Sequence, residues 1–196
     1  FFYLLSKYNM ILITHVGDEH SVEGGGINNK FGNPLYYKKW LDLFPKLKII
    51  MAHVGSEGRS KEPMTNKYID NFDIVLKLLR LYPKQLWADI SAMSCAPART
   101  KYLSKIIINE DIQQQLLYGS DYPVAAIRPL VAVSLSKMKN YQLLGEDPDQ
   151  MRRLLLEIYE HNPLLANFVT LRSISFNGKK LSPFEVATTS PFTSSV

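Results

Sequence analysis

The stretch "ILITHVGDEH", residues 11–20, runs as an apolar strand straight into a histidine, a glycine, two acids and a second histidine. The pattern returns three times. "LKIIMA" (47–52) ends at His53, "QLWADISA" (85–92) carries Asp89, and "QLLYGSD" (115–121) ends at Asp121. These polar residues stand 38, 36 and 32 positions apart. Between the apolar runs lie segments with apolar residues at three- and four-residue spacing, at 35–44, 66–82 and 98–108, which predicts helices. Pro45 and Pro83 stop two of them just before the next run. Strand and helix alternating at this period predict consecutive βα units around a parallel sheet, an α/β fold. Leu and Ile on both faces of the strands fit a sheet covered on both sides. Ligands in such folds sit beyond the carboxyl ends of the strands, where His15, His53 and Asp121 fall. Several strands each deliver one polar side chain to the same rim.

Composition frames this reading. The chain has 196 residues, 46% hydrophobic and 21% charged, enough for one sizeable core in a soluble protein. No apolar run approaches the ~18 residues of a membrane span, and no secretory signal pattern is present, so the expected location is the cytoplasm. Cys95 is the single cysteine, which rules out an internal disulfide framework and agrees with a reducing compartment. The net charge of +5 is scattered, as in "YYKKW" and "QMRRLL", and argues against a nucleic-acid partner. The opening "FFYLLSKYN" reads as the last turns of an amphipathic helix whose beginning lies upstream.

"ITHVG", "LDLFPKLKIIMAHVGSEG", "LWADISA", "LLYGSDYP" and "HNPLLANF" together resemble the carboxyl-terminal half of a metal-dependent hydrolase of the amidohydrolase superfamily, in the branch that includes decarboxylases and lactonases. The likeness runs over roughly residues 9 to 170. It implies a TIM-type (β/α)₈ barrel of which this chain supplies about four βα units, the fifth to eighth strands. It also implies roles: His15 as a metal ligand, His53 as a ligand of a second metal or an activator of the attacked group, and Asp121 in contact with both metal and water. A divalent metal ion, zinc in the first instance, and a small carbonyl-containing substrate such as an amide or lactone follow from the same resemblance. The residue types suit that chemistry, since imidazole and carboxylate are common Zn²⁺ ligands. A bound metal brings the pKa of water toward ~7, and a carboxylate can take the proton.

The sequence also departs from that family. Its members carry an H-x-H pair on the first strand, and here the remaining histidines are His20 and His161. Four βα units do not close an eight-stranded barrel, for which ~250 residues are typical. The chain is therefore expected to be a fragment of a longer product or a half-barrel. Two functions stay open: a metal-dependent hydrolase, or a non-catalytic half-barrel that binds or assembles by pairing with another half or a second copy. Asp89 is expected to support the rim by hydrogen bonds. The long loop 17–34 is placed over the mouth, with Asp18, Glu19 and His20 facing substrate or solvent. Arg59 either pairs with a substrate carboxylate or lies on the surface. "GGG" at 24–26 lacks the Lys-Ser/Thr of a phosphate loop. "QMRRLLLEIYEHN" (150–162) reads as the helix after the last strand, with His161 at its end and Pro163 beyond it, and "NGK" (177–179) as a turn. Residues 1–170 form the barrel half; 171–196 form an extension whose Ser/Thr-rich end, "ATTSPFTSSV", is expected to be disordered.

Overall fold

The computed structural model describes residues 1–18, 31–63 and 65–182. Four parallel strands form the central sheet: β1 (Ile11–His15), β2 (Lys48–Ala52), β5 (Leu86–Asp89) and β6 (Leu116–Leu117), side by side in chain order. A doubly wound sheet reverses its strand order at a switch point. This one does not, and its arrangement is that of an arc of a (β/α)₈ barrel. A separate antiparallel hairpin, β3 (Arg59–Lys61) with β4 (Tyr68–Asp70), grows from the β2 end.

The helices run α1 (Phe2–Lys7), α2 (Lys38–Leu43), α3 (Asn71–Leu81), α4 (Leu103–Ile108), α5 (Arg128–Asn140), α6 (Pro148–His161) and α7 (Pro163–Ser173). The chain ends in a second hairpin, β7 (Ser175–Phe176) with β8 (Lys179–Lys180). Local chemistry sets the helix boundaries. Asp70 accepts a hydrogen bond from the Phe72 amide at 3.1 Å and starts α3 at Asn71, five residues into the expected 66–82 segment. Asp147 and Asn162 cap α6 and α7 in the same way, each followed by a proline at the first helical position, where a missing amide costs nothing.

Packing distinguishes the two faces of the sheet. Ile49, Met51, Leu86 and Ala88 are fully buried in one cluster with Leu41, Phe72, Leu78, Leu79, Leu103 and Ile106 from the helices. The other face carries Ile13, Ile50 and Trp87 in one register row; His15 and Asp89, two residues further along their strands, share that face. Ile50 and Trp87 are buried, whereas Ile13 on the end strand is 68% exposed. Phe1, Tyr3, Tyr8 and Met10, before β1, are exposed as well. Open strand edges flanked by apolar side chains promote association. Sedimentation velocity of this chain is accordingly expected to show species larger than a monomer, and Ile13→Lys to reduce them; a clean monomer at all concentrations would contradict this.

Several expectations change. The third and fourth strands of the sheet are shorter than their apolar runs: the Ile90 amide makes a last bond to the Leu117 carbonyl at 3.0 Å, and Ser91 and Ala92, like Tyr118 to Asp121, lie beyond the strands, because the chain turns at both places to present polar groups. The helix directly after the last strand is α5, not residues 150–162. Pro129 stands in the first turn of α5, where it is tolerated. Pro163 opens a further helix instead of closing the chain's helical part. "NGK" does form the β7–β8 turn, with Asn177 and Gly178 both at positive φ, as the tight turn of a two-residue hairpin requires. Helix α7 crosses residue 170, and Ile174 and Leu181 beyond it are buried in the common core. No helix among the described residues is long and apolar enough to cross a membrane. Residues 183–196 and most of the 17–34 loop, with Glu19, His20 and the "GGG" run, lie outside the described residues.

Candidate active site

The site is built where β1, β2, β5 and β6 end. His15 is the last residue of β1, and its ring meets that of His53 edge-on with centroids 5.4 Å apart. His53 follows β2 directly. Here the backbone enters the left-handed region for three residues running, His53 (φ 55°), Val54 (φ 53°) and Gly55 (φ 60°), and turns the chain sharply across the rim. Gly55 is required there: a Cβ would lie 2.8 Å from Val75 Cγ2. Asp121 also has positive φ (56°), so two of the candidate residues sit in backbone conformations that cost on the order of 1 kcal/mol each. Such strain persists where the surroundings hold it, and it clusters at functional sites.

A carboxylate holds the His53 turn. Asp89 Oδ1 accepts from the His53 amide at 3.0 Å, from the Ser91 amide at 3.0 Å, and from the Ser91 hydroxyl in a short contact. Ser91 Oγ and the Ser91 carbonyl lie 2.8 and 3.1 Å from His53 Nδ1. The hydroxyl has one proton, and Asp89 receives it. Towards His53 the hydroxyl can therefore only accept, as the carbonyl must. Hydrogen counting thus assigns the proton to Nδ1 and leaves a lone pair on Nε2. That Nε2 lies 3.8 Å from Asp121 Oδ2. Burial, and then the Arg99 guanidinium nearby, hold the His53 imidazolium below its ordinary pKa against the pull of Asp89 and Asp121, so the ring is neutral at pH 7.

The fourth strand end delivers Asp121, whose Oδ2 also lies 3.8 Å from Arg99 Nη1. Arg99 stands 3.7 Å from Glu57 Oε1 as well. Its side chain is 12% exposed, and its Nε is enclosed without a hydrogen-bond partner among the described residues. Cys95 is buried in the same neighbourhood and its thiol is pushed up to about 12, by desolvation first and by Asp121 second; it stays protonated and is no nucleophile. Asn167 on α7 anchors the β5 turn by donating to Ser94 Oγ at 2.8 Å.

The structure thus brings His15, His53 and Asp121 to one rim, with Asp89 holding the His53 turn through its bonds to the His53 amide and to Ser91. Arg59 is not in the loop expected for it: it lies exposed on β3, where pairing with β4 fixes it, and its guanidinium donates to the Tyr68 carbonyl at 2.8 Å. It joins none of the contacts that tie the histidines to Asp121. The loop base is set by Gly17, whose amide donates to the Gly32 carbonyl at 2.7 Å, and by the Asp18 amide on the Glu57 carbonyl at 3.3 Å. Ser91, Arg99 and Glu57 are the residues that sequence reasoning missed. Their one signal was position, in the segments just after strands whose ends carry polar groups.

The comparisons decide the family. A sequence profile of the amidohydrolase family matches residues 1–157. The chain belongs to that family. No curated protein sequence matches it. Among solved structures, an uncharacterized TIM-barrel protein from Bordetella bronchiseptica is similar at 16% identity with a TM-score of 0.44, over 85% of this chain and 50% of that one. The chain therefore spans about half the length of that protein. In this amidohydrolase chain the donor types at the rim, imidazole and carboxylate, are those of a divalent metal site. His53 Nε2 and Asp121 Oδ2 are 3.8 Å apart, within the span that two ligands at ~2.1 Å from one ion can have. Among the described residues, however, no three His, Cys, Asp or Glu side chains stand close enough to hold an ion by themselves. The residues fit a metal as donors, as part of a coordination set.

Proposed function

We propose that this amidohydrolase chain carries part of a metal-dependent hydrolytic site acting on a small carbonyl-containing molecule, an amide, lactone or related compound. The observation that carries the reading is the neutral His53, fixed through Ser91 and Asp89 with its Nε2 lone pair on the side of Asp121 and its ring against His15. His15, His53 and Asp121 would contribute ligands to a larger set around the ion, and zinc is one ion that imidazole and carboxylate suit. When bound, a divalent metal lowers the pKa of water towards ~7 and polarises a carbonyl.

The chain's own groups then have distinct tasks. Asp121 accepts the proton that the attacking water loses and can return it to the leaving group. Polarising a carbonyl by hydrogen bonding would require a proton on His53 Nε2, which the bonding at Nδ1 removes. His53 therefore serves as a ligand, or accepts a hydrogen bond from the water and aims it. Asp89 and Ser91 keep the ring from turning, as the outer partners of metal-site histidines do. A second reading, a half-barrel that works by assembly, is favoured by the exposed apolar end of the sheet at Ile11 and Ile13.

The test is a Co²⁺ titration followed by visible absorption. Because the described donors form an incomplete set, uptake is expected to be weak, and His15→Ala, His53→Ala and Asp121→Ala should each weaken it by about tenfold or more. Uptake that none of the three alters would remove the metal from this site.

A further inference from the structure

We infer that Arg99 selects the substrate: the molecule taken by this site carries, besides the carbonyl that is attacked, a carboxylate that the Arg99 guanidinium binds. The inference rests on the hydrolytic reading above and names the substrate class for it. Arg99 follows the turns after β5 and leads into the 3-10 turn Thr100–Tyr102. A guanidinium is permanently charged and presents five N–H donors in a planar fork. Here the fork is withdrawn from solvent, with the side chain 12% exposed and the Nε–H enclosed and unpartnered among the described residues. A buried donor without an acceptor is costly, and a ligand that supplies the acceptor removes that cost.

The neighbouring acids balance the charge without saturating the donors. Glu57 Oε1 is 3.7 Å from Nε and Asp121 Oδ2 is 3.8 Å from Nη1, both beyond hydrogen-bond reach. The same Asp121 oxygen is 3.8 Å from His53 Nε2, so guanidinium and imidazole flank one carboxylate oxygen. A molecule held by Arg99 thus has its next few atoms beside the groups assigned to the chemistry. Among anionic groups the surroundings favour a carboxylate: it matches the fork in a bidentate pair with one charge at the point of contact, whereas Glu57, Asp121 and Asp89 together repel the two charges that a phosphate dianion places there. Arg59, the sequence-based candidate for this task, is occupied by the Tyr68 carbonyl on the surface.

Two measurements test the inference separately from the hydrolytic reading. Calorimetric titration is expected to show binding of succinate, with succinamide and inorganic phosphate weaker by about tenfold or more. Arg99→Gln should lose at least that factor for succinate, and Arg99→Lys, which keeps the charge but not the fork, should recover part of it. The second measurement is the ratio of kcat/KM for mono-4-nitrophenyl succinate to that for 4-nitrophenyl acetate, expected to fall about tenfold or more in Arg99→Gln. Succinate affinity equal in wild type and both variants, no succinate binding at all, or an unchanged ratio overturns the role of Arg99. If Arg99→Gln fails to fold by circular dichroism, Arg99→Lys alone decides. Hydrolysis of neither ester sinks the hydrolytic reading, while the titration still decides whether Arg99 takes a carboxylate.

Discussion

Asp121→Asn is expected to lower the kcat for a carbonyl substrate by roughly 10³-fold, the range that a positioned general base contributes. The substitution is chosen to leave the fold alone. Asp121 has φ 56°, and asparagine accepts the left-handed region as readily as aspartate does. The amide has the carboxylate's shape but can neither take a proton nor balance Arg99, whose Nη1 lies 3.8 Å away. KM for a neutral substrate should change much less than kcat, because the lost function belongs to the transition state. His53→Ala should cost a similar factor, and Asp121→Asn with His53→Ala together should cost little more than either alone if the two act as a unit. A fall in kcat of less than tenfold for Asp121→Asn, with circular dichroism unchanged, would show that the proton goes elsewhere.

The second large effect concerns stability. Asp89→Ala removes the acceptor of three donors, the His53 and Ser91 amides and the Ser91 hydroxyl, in a place where the Asp89 side chain is 16% exposed. Hydrogen bonds to a charged group are each worth about 1.5 kcal/mol or more, and orphaned buried donors keep their desolvation cost. The expected loss is about 3 kcal/mol in the free energy of unfolding, read as a lower midpoint in urea at unchanged slope. Ser91→Ala is expected to cost only about 1 kcal/mol, since the Ser91 carbonyl remains 3.1 Å from His53 Nδ1 as acceptor. The contrast between the two variants is the informative part. Equal, small losses would mean that water replaces the Asp89 carboxylate and that the His53 turn is held by something else.

Much of the scaffold is local and therefore readable in one dimension. The β1 and β2 runs, the helix ended before Pro83, the capped helix over 148–161 and the "NGK" turn each depend on neighbours a few residues away, through periodicity, capping and positive φ. The two shortened strands were not readable in the same way. "SA" at 91–92 and "GSD" are compatible with a strand, and what takes them out of the ladder is the demand of Asp89, Ser91 and Asp121 for partners beyond their own strands.

By itself the sequence determined that the chain alternates strands and helices in parallel βα units, and hence that His15, His53 and Asp121 lie at or just past the carboxyl ends of their strands, on one side. Parallel strands share a direction, so that conclusion needs no long-range contact. Only the tertiary structure decided the rest: which His53 nitrogen carries the proton, that Asp89 is a clamp for the His53 turn, and that the arginine beside Asp121 is Arg99 and not Arg59. The reason is physical. A proton position, a buried acceptor or an enclosed guanidinium is set by atoms 36, 38 or 22 residues apart in the chain, between His53 and Asp89, His53 and Ser91, Arg99 and Asp121, and no local pattern encodes which of the available polar groups will meet once the strands are side by side.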